Sequence, residues 1–165
     1  MESQKFSELG EREREQYNKG LERGGYEKIF NHCRYFYIRR RYSLIKEMMQ
    51  CAQGKKVLEI GSTAWRGWLD NNSILPSSLT CINISEAELQ AGVDSAASSD
   101  NSPDFILMDA HDLQFEDGTF DFVYGDAILH HLNMVPALDE IFRVLKPNGK
   151  ILFVEPLDIN PVGKL

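Results

Sequence analysis

Two spacings of apolar residues divide the chain. Short runs recur at Val57–Ile60, Leu79–Ile84, Phe105–Met108, Phe120–Tyr124 and Ile151–Val154, each ending at or beside a glycine or a polar residue. Runs this short, rich in β-branched and aromatic residues, predict strands feeding tight turns, the first of them a strand buried on both faces. Between them the spacing is helical. Tyr26, Ile29, Phe30, Cys33 and Tyr37 form a stripe that Leu44, Ile45, Met48 and Met49 resume, and Gly54 stands where a helix C-cap would. Trp65 to Asn72 predicts a short helix closed by Asn71-Asn72 and Pro76. Ser85 with Glu88 reads as a capping box for a helix to about Gly92, followed by a small-residue loop over 94–102. Met134 to Leu145 predicts an amphipathic helix burying Leu138, Ile141, Phe142 and Leu145, and Lys146-Pro147-Asn148-Gly149 predicts its stop and a turn.

Strands that alternate with helices imply an α/β fold: a doubly wound, mostly parallel sheet with helices on both faces and right-handed crossovers. The sequence ends soon after the fifth strand, leaving that strand as an open edge. Either the sequence is a fragment of a longer chain or a partner, such as a second copy in a homo-oligomer, covers it. Residues 1–23 are polar, with charges alternating in sign through Glu11–Glu15, which suits a solvated helix before Gly24-Gly25. Residues 1–53 are therefore expected to form an N-terminal helical segment and residues 54–165 the sheet domain. Arg39-Arg40-Arg41 reads as a solvated face or a helix junction, or else as a contact for an anion.

Composition narrows the partners. With 42% hydrophobic and 26% charged residues in 165, the chain has the balance of one globular domain. A net charge of −7 argues against nucleic acid as the main partner. No apolar run is long enough to span a membrane, and the charged N-terminus is not a signal peptide. Cys33, Cys51 and Cys81 are odd in number and lack metal-ligand spacing, so reduced thiols in a cytoplasmic protein and no metal site are expected.

The turn after the first strand carries the candidate chemistry. In an open α/β sheet, ligands bind at the carboxyl ends of strands where the strand order reverses. A dinucleotide would need Gly-x-Gly-x-x-Gly there, and only Gly61 is in place; no Gly-Lys-Ser/Thr phosphate loop follows either. What remains is a cofactor with no phosphate and a cationic head.

Val57-Leu58-Glu59-Ile60-Gly61, Ile82-Asn83-Ile84-Ser85, Asp109-Ala110-His111-Asp112-Leu113, Phe115–Val123, His130-His131-Leu132 and Leu145–Lys150 follow one another in an order that resembles class I S-adenosylmethionine-dependent methyltransferases, closest to the small-molecule branch. The resemblance covers about residues 55–156 and implies a Rossmann-like domain binding S-adenosylmethionine and a small-molecule acceptor. It places the amino-acid end of the cofactor at Glu59, Gly61, Ser62 and Thr63, the ribose at Asn83 and Ile84, and the adenine at Asp109, Ala110 and His111. Asp126 and Ala127 would line the methionine arm. His130 or His131 would act as a base, with His131, Tyr17 and Tyr26 on the acceptor side and residues 1–53 as a cap.

The sequence departs from that pattern twice. Thr63 and Trp65 stand where glycine is usual, and Trp65 could either wall the pocket or obstruct it. Asn83 stands where an acid is common, so a two-oxygen carboxylate contact is lost. Plainer roles stand beside the ligand roles: Glu59 capping its turn or pairing with Lys55 or Lys56, Asp109 capping a helix, His130 and His131 packing locally, Trp65 and Trp68 filling the core. Methyl transfer to a small molecule is the expected activity, and a non-catalytic cofactor-binding or interaction module is the alternative.

Overall fold

The computed structural model describes residues 34–96, 99 and 103–155, with the isolated positions 11 and 15. Tyr17, Tyr26, the Gly24-Gly25 break and most of the expected N-terminal segment lie outside the described residues, as does most of the 97–102 loop.

Five strands, β1 (Lys56–Ile60), β2 (Ser78–Asn83), β3 (Asp104–Leu107), β4 (Phe120–Asp126) and β5 (Leu145–Val154), form one sheet in the order β3-β2-β1-β4-β5. Every pairing is parallel. The chain winds outward from β1 to β3, then crosses back to lay β4 on the free side of β1. The order therefore reverses between β1 and β4, the position at which open α/β sheets carry their ligand crevice at the strand tips.

Among the described residues four helices cover the sheet: α1 (Arg34–Met49), α2 (Trp65–Trp68), α3 (Glu86–Ala96) and α4 (Met134–Val144). Strand alternation sorts the core. Val57, Leu79, Cys81, Phe122 and Tyr124 point to one face, against Ile45 and Met49 of α1 and Trp65 of α2. Leu58, Ile60, Ile82 and Val123 point to the other, against Ile141 and Val144 of α4. Each such side chain contributes about 1.5–3 kcal/mol by leaving water. Glu59 shares the parity of Val57, so the period that builds the strand also drives a carboxylate into the first layer.

Several expectations need correction. Arg39–Arg41 does not mark a helix junction, because α1 runs through it unbroken. The third helix reaches Ala96, so it takes up the start of the expected loop. On α4 the buried stripe is Ala137, Ile141 and Val144, and Phe142 is 58% exposed. The apolar residues of the helix cover about half of its circumference, and the stripe that meets the sheet lies toward the Ala137–Val144 edge of that arc, one position earlier than expected. Lys146–Gly149 does turn, with Asn148 at φ 65°, but the turn is a bulge within β5. Phe120 pairs with Leu145 and Phe122 with Lys150, leaving Asp121 opposite four residues, Lys146 to Gly149. Hydrogen bonds from the Lys56 N–H and the Lys146 ammonium, both at 3.0 Å, hold Asp121 below the usual carboxylate range.

Candidate functional site

The turn after β1 takes the chain through two left-handed residues, Gly61 at φ 113° and Ser62 at φ 45°. A Cβ built on Gly61 would meet only Ile128 Cγ1, at 4.0 Å, so the backbone there faces open space. Glu59 is wholly buried and spans from this turn to the neighbouring strand. One of its oxygens accepts the Ala64 N–H at 2.8 Å, and the other accepts the Tyr124 hydroxyl. Burial outweighs those hydrogen bonds and pushes the carboxyl up to about 7. Thr63 is exposed at the rim. Trp65 has no exposed surface; its ring meets Phe105 edge-on at 6.4 Å, so it neither walls nor obstructs the crevice. Close packing is achieved from outside the turn, by Gly92 of α3. A Cβ on Gly92 would come within 2.9 Å of the Ser62 carbonyl and 2.6 Å of the Phe105 ring.

At the tip of β2, Asn83 is 8% exposed and hydrogen-bonded throughout. Its amide nitrogen donates to Ser62 Oγ at 3.0 Å and to Glu88 Oε2 at 3.1 Å, while its oxygen accepts the Ser85 N–H at 2.9 Å. The expected capping box is thus half formed. Ser85 Oγ accepts the Glu88 N–H at 3.3 Å, but the Glu88 carboxylate turns to Asn83 instead of back to Ser85. Ile84 is partly exposed beside it.

Beyond β3, Asp109 and Ala110 are buried. Asp109 Oδ1 accepts the His111 N–H at 2.9 Å and lies 2.5 Å from His111 Nδ1. Since the Asn133 N–H donates to His111 Nε2 at 2.9 Å, the ring proton sits on Nδ1 and is given to Asp109. His111 thereby ties this turn to the start of α4. Arg143 fastens the same connection further along, donating to the Leu113 and Phe115 carbonyls and to Asp117 and Glu140.

After β4, Ala127 is left-handed at φ 54° and exposed. Asp126 accepts the Trp68 indole N–H at 3.0 Å, and Trp68 packs against Tyr42 at 5.0 Å. Glu155, just past β5, holds the following loop: it accepts the Ile128 and Leu129 N–H groups at 3.0 and 2.8 Å and lies 2.6 Å from His130 Nδ1. Burial pulls Glu155 upward, but the hydrogen bonds from His130, Leu129 and Ile128 win and leave it below the usual carboxylate range. The His130 and His131 rings lie 3.9 Å apart, and His130 is the more exposed.

The strand tips therefore bring together Glu59, Gly61, Ser62, Thr63, Asn83, Ile84, Asp109, Ala110, His111, Asp126, Ala127, His130 and His131. Sequence reading missed Tyr124, Trp68 and Glu155 as parts of this edge. For Glu155 the signal was present, since it is an acid just past a strand, as Asp109 is. Residues 59–65, 83–88, 109–111 and 126–131 contain no lysine or arginine. With Glu88 and Asp126 partly exposed among them, the edge would repel a polyphosphate and suits a ligand carrying positive charge. That donor set fits a sulfonium cofactor. Among the described residues no cluster of three or more His, Cys, Asp or Glu could hold a metal ion, and no helix is long and apolar enough to cross a membrane.

An open parallel sheet with its crevice at the β1/β4 reversal defines a Rossmann-like protein. Residues 58–153 match the methyltransferase domain family, and the chain belongs to the class I S-adenosylmethionine-dependent methyltransferase family. It is similar to the glycine/sarcosine/dimethylglycine N-methyltransferase of Actinopolyspora halophila, with 33% identity over 82 residues, 48% of this chain and 14% of that protein. Similarity to the demethylmenaquinone methyltransferase of Staphylococcus aureus (strain MRSA252) is 33% over 110 residues, 65% of this chain and 45% of that one. Among solved structures, the cyclase SpnF shares 26% identity at a TM-score of 0.61, covering 70% of this chain and 44% of that one. The chain spans about half the length, or less, of the curated relatives it matches.

Proposed function

We propose that this chain binds S-adenosylmethionine along the tips of β1 to β4 and transfers a methyl group to a small-molecule acceptor. The observation that carries the proposal is the cation-free, carboxylate-bearing edge at the β1/β4 reversal, in a chain of this family. Similarity to relatives named for methylating glycine derivatives and demethylmenaquinone supports a small acceptor.

When bound, the cofactor supplies a methyl group already electrophilic on its sulfonium. The protein's part is to seat and orient. The open backbone at Gly61–Thr63 receives the amino-acid end, with Glu59 holding the turn in shape from below. The Asp109–His111 turn takes the adenine, and Asp126 with Ala127 borders the methionine arm. Alignment of this kind is worth up to roughly 7–11 kcal/mol. His130, oriented through Nδ1 by Glu155, takes the proton of a hydroxyl or amine acceptor, with His131 beside it on the acceptor side. The segment before α1 is assigned as the cap that carries Tyr17 and Tyr26 to the acceptor, while α1 itself packs on a face of the sheet. A second copy of the chain covers β5, whose one described neighbour in the sheet is β4.

Calorimetry with S-adenosylhomocysteine tests the seat, and transfer of labelled methyl from S-adenosylmethionine into a metabolite extract tests the reaction. No heat of binding at millimolar ligand would overturn the proposal. Binding without transfer would favour the second reading, a binding module that does not methylate, which the likeness to a protein named as a cyclase supports.

A further inference from the structure

We propose that the carboxylate receiving the ribose hydroxyls in this chain is Glu88, held in place by Asn83; this rests on the cofactor reading above. Two neighbouring hydroxyls are best met by one carboxylate, whose two oxygens can each accept an O–H. Asn83, at the strand tip where such a group would stand, cannot accept both hydroxyls, because its single oxygen has one lone pair left. Both of its amide hydrogens are spent, on Ser62 Oγ and Glu88 Oε2, and its oxygen already accepts from Ser85.

The same bonds explain where the carboxylate has gone. In a complete capping box the Glu88 side chain would return to the Ser85 N–H. Asn83 has taken that N–H, which frees Glu88 to swing toward the strand tip. It arrives 3.1 Å from the Asn83 nitrogen, partly exposed at the crevice rim, and its Oε1 makes no hydrogen bond among the described residues. Burial also pushes its carboxyl above the usual range, as for an anion drawn partly out of water with one donor in place. An aspartate at position 83 would set two carboxylates side by side at that distance. The amide turns that repulsion into a hydrogen bond and leaves the negative charge at residue 88.

Calorimetry on the intact chain decides the matter with two probes, S-adenosylhomocysteine and its 2′-deoxy form. The wild-type chain should bind the hydroxylated probe more tightly. Glu88→Gln should weaken it by roughly ten- to a hundredfold, the range for a hydrogen bond to a charged group, and should bring the two probes to equal affinity. Asn83→Asp combined with Glu88→Gln should return both the affinity and the preference for the hydroxylated probe, which a folding defect would not allow. Unchanged affinity in Glu88→Gln, or a loss that leaves the preference intact, would overturn the assignment while the cofactor reading stands. Failure of the wild-type chain to bind either probe would remove both.

Discussion

The two halves of the strand-tip crevice are built on opposite terms. On the β1–β3 side, Glu59, Asn83 and Asp109 are 0%, 8% and 3% exposed, and each is bonded to its own turn. On the β4–β5 side, Asp126 and Glu155 are partly exposed and His130 more so, and one carboxylate, Glu155, holds two backbone N–H groups and a ring nitrogen. Buried polar groups with fixed partners are costly to disturb and so define a rigid seat. An exposed loop hung from one side chain is easier to reshape. On the proposed function, the difference is a division of labour, with the nucleoside and amino-acid end of the cofactor on the stiff half and acceptor chemistry on the adjustable one.

The largest expected effect breaks the stiff half. Gly61→Arg forces a side chain onto φ 113° and into the open space above the turn. S-adenosylhomocysteine binding should fall beyond detection in calorimetry, while thermal unfolding stays cooperative with a loss of about 1–3 kcal/mol from backbone strain. Undiminished affinity would move the seat elsewhere. Next is Glu59, which joins the halves through Tyr124. It keeps its proton up to about pH 7 in the folded chain, against 4.5 for a free carboxyl, so its contribution to stability is full below pH 4.5 and is lost as pH rises through 7. The loss amounts to something on the order of 3 kcal/mol. Urea melts of Glu59→Gln at pH 5 and pH 8 should show that slope flattened; a slope matching wild type would assign it to other groups.

A smaller effect sharpens the contrast from the other side. Glu155→Gln keeps an oxygen for the Ile128 and Leu129 N–H groups but removes the charge that faces His130. Methyl transfer should drop about tenfold, short of the roughly hundredfold or more expected from losing the base itself, with S-adenosylhomocysteine affinity within about twofold of wild type. Loss of binding in step with turnover would erase the distinction between the halves. Smallest is Phe142→Ser on the exposed side of α4. Stability should shift by less than about 0.5 kcal/mol and affinity not at all; a larger shift would show that the face expected from sequence is in use.

The strands were legible because a short apolar run that stops at glycine or a polar residue is too brief for a helix and suits a buried strand. Those runs carried β1 to β5 and, through them, the site at the strand tips. A single helical turn has no period to read, so Trp65 and Trp68 looked alike; the fold buries one and sets the other on Asp126. The Ser85–Glu88 pair was legible as a motif, but its outcome hinged on Asn83, whose oxygen claims the Ser85 N–H. The Lys146–Gly149 turn was legible too, yet its conversion into a bulge depended on Asp121 in a strand 25 residues earlier. Local signals gave the punctuation, and distant partners decided the geometry.

The crossing from β3 back to β4 has a consequence for synthesis. Glu59 meets the hydroxyl of Tyr124 across 65 positions of chain, and β1 gains its second neighbour only when β4 arrives. On the ribosome, the first three strands emerge while the buried acid still lacks its phenol and one side of the central strand stands bare. Such non-local pairing is slow to form. Capture of the nucleoside would therefore mark the moment when a nascent chain has closed its sheet.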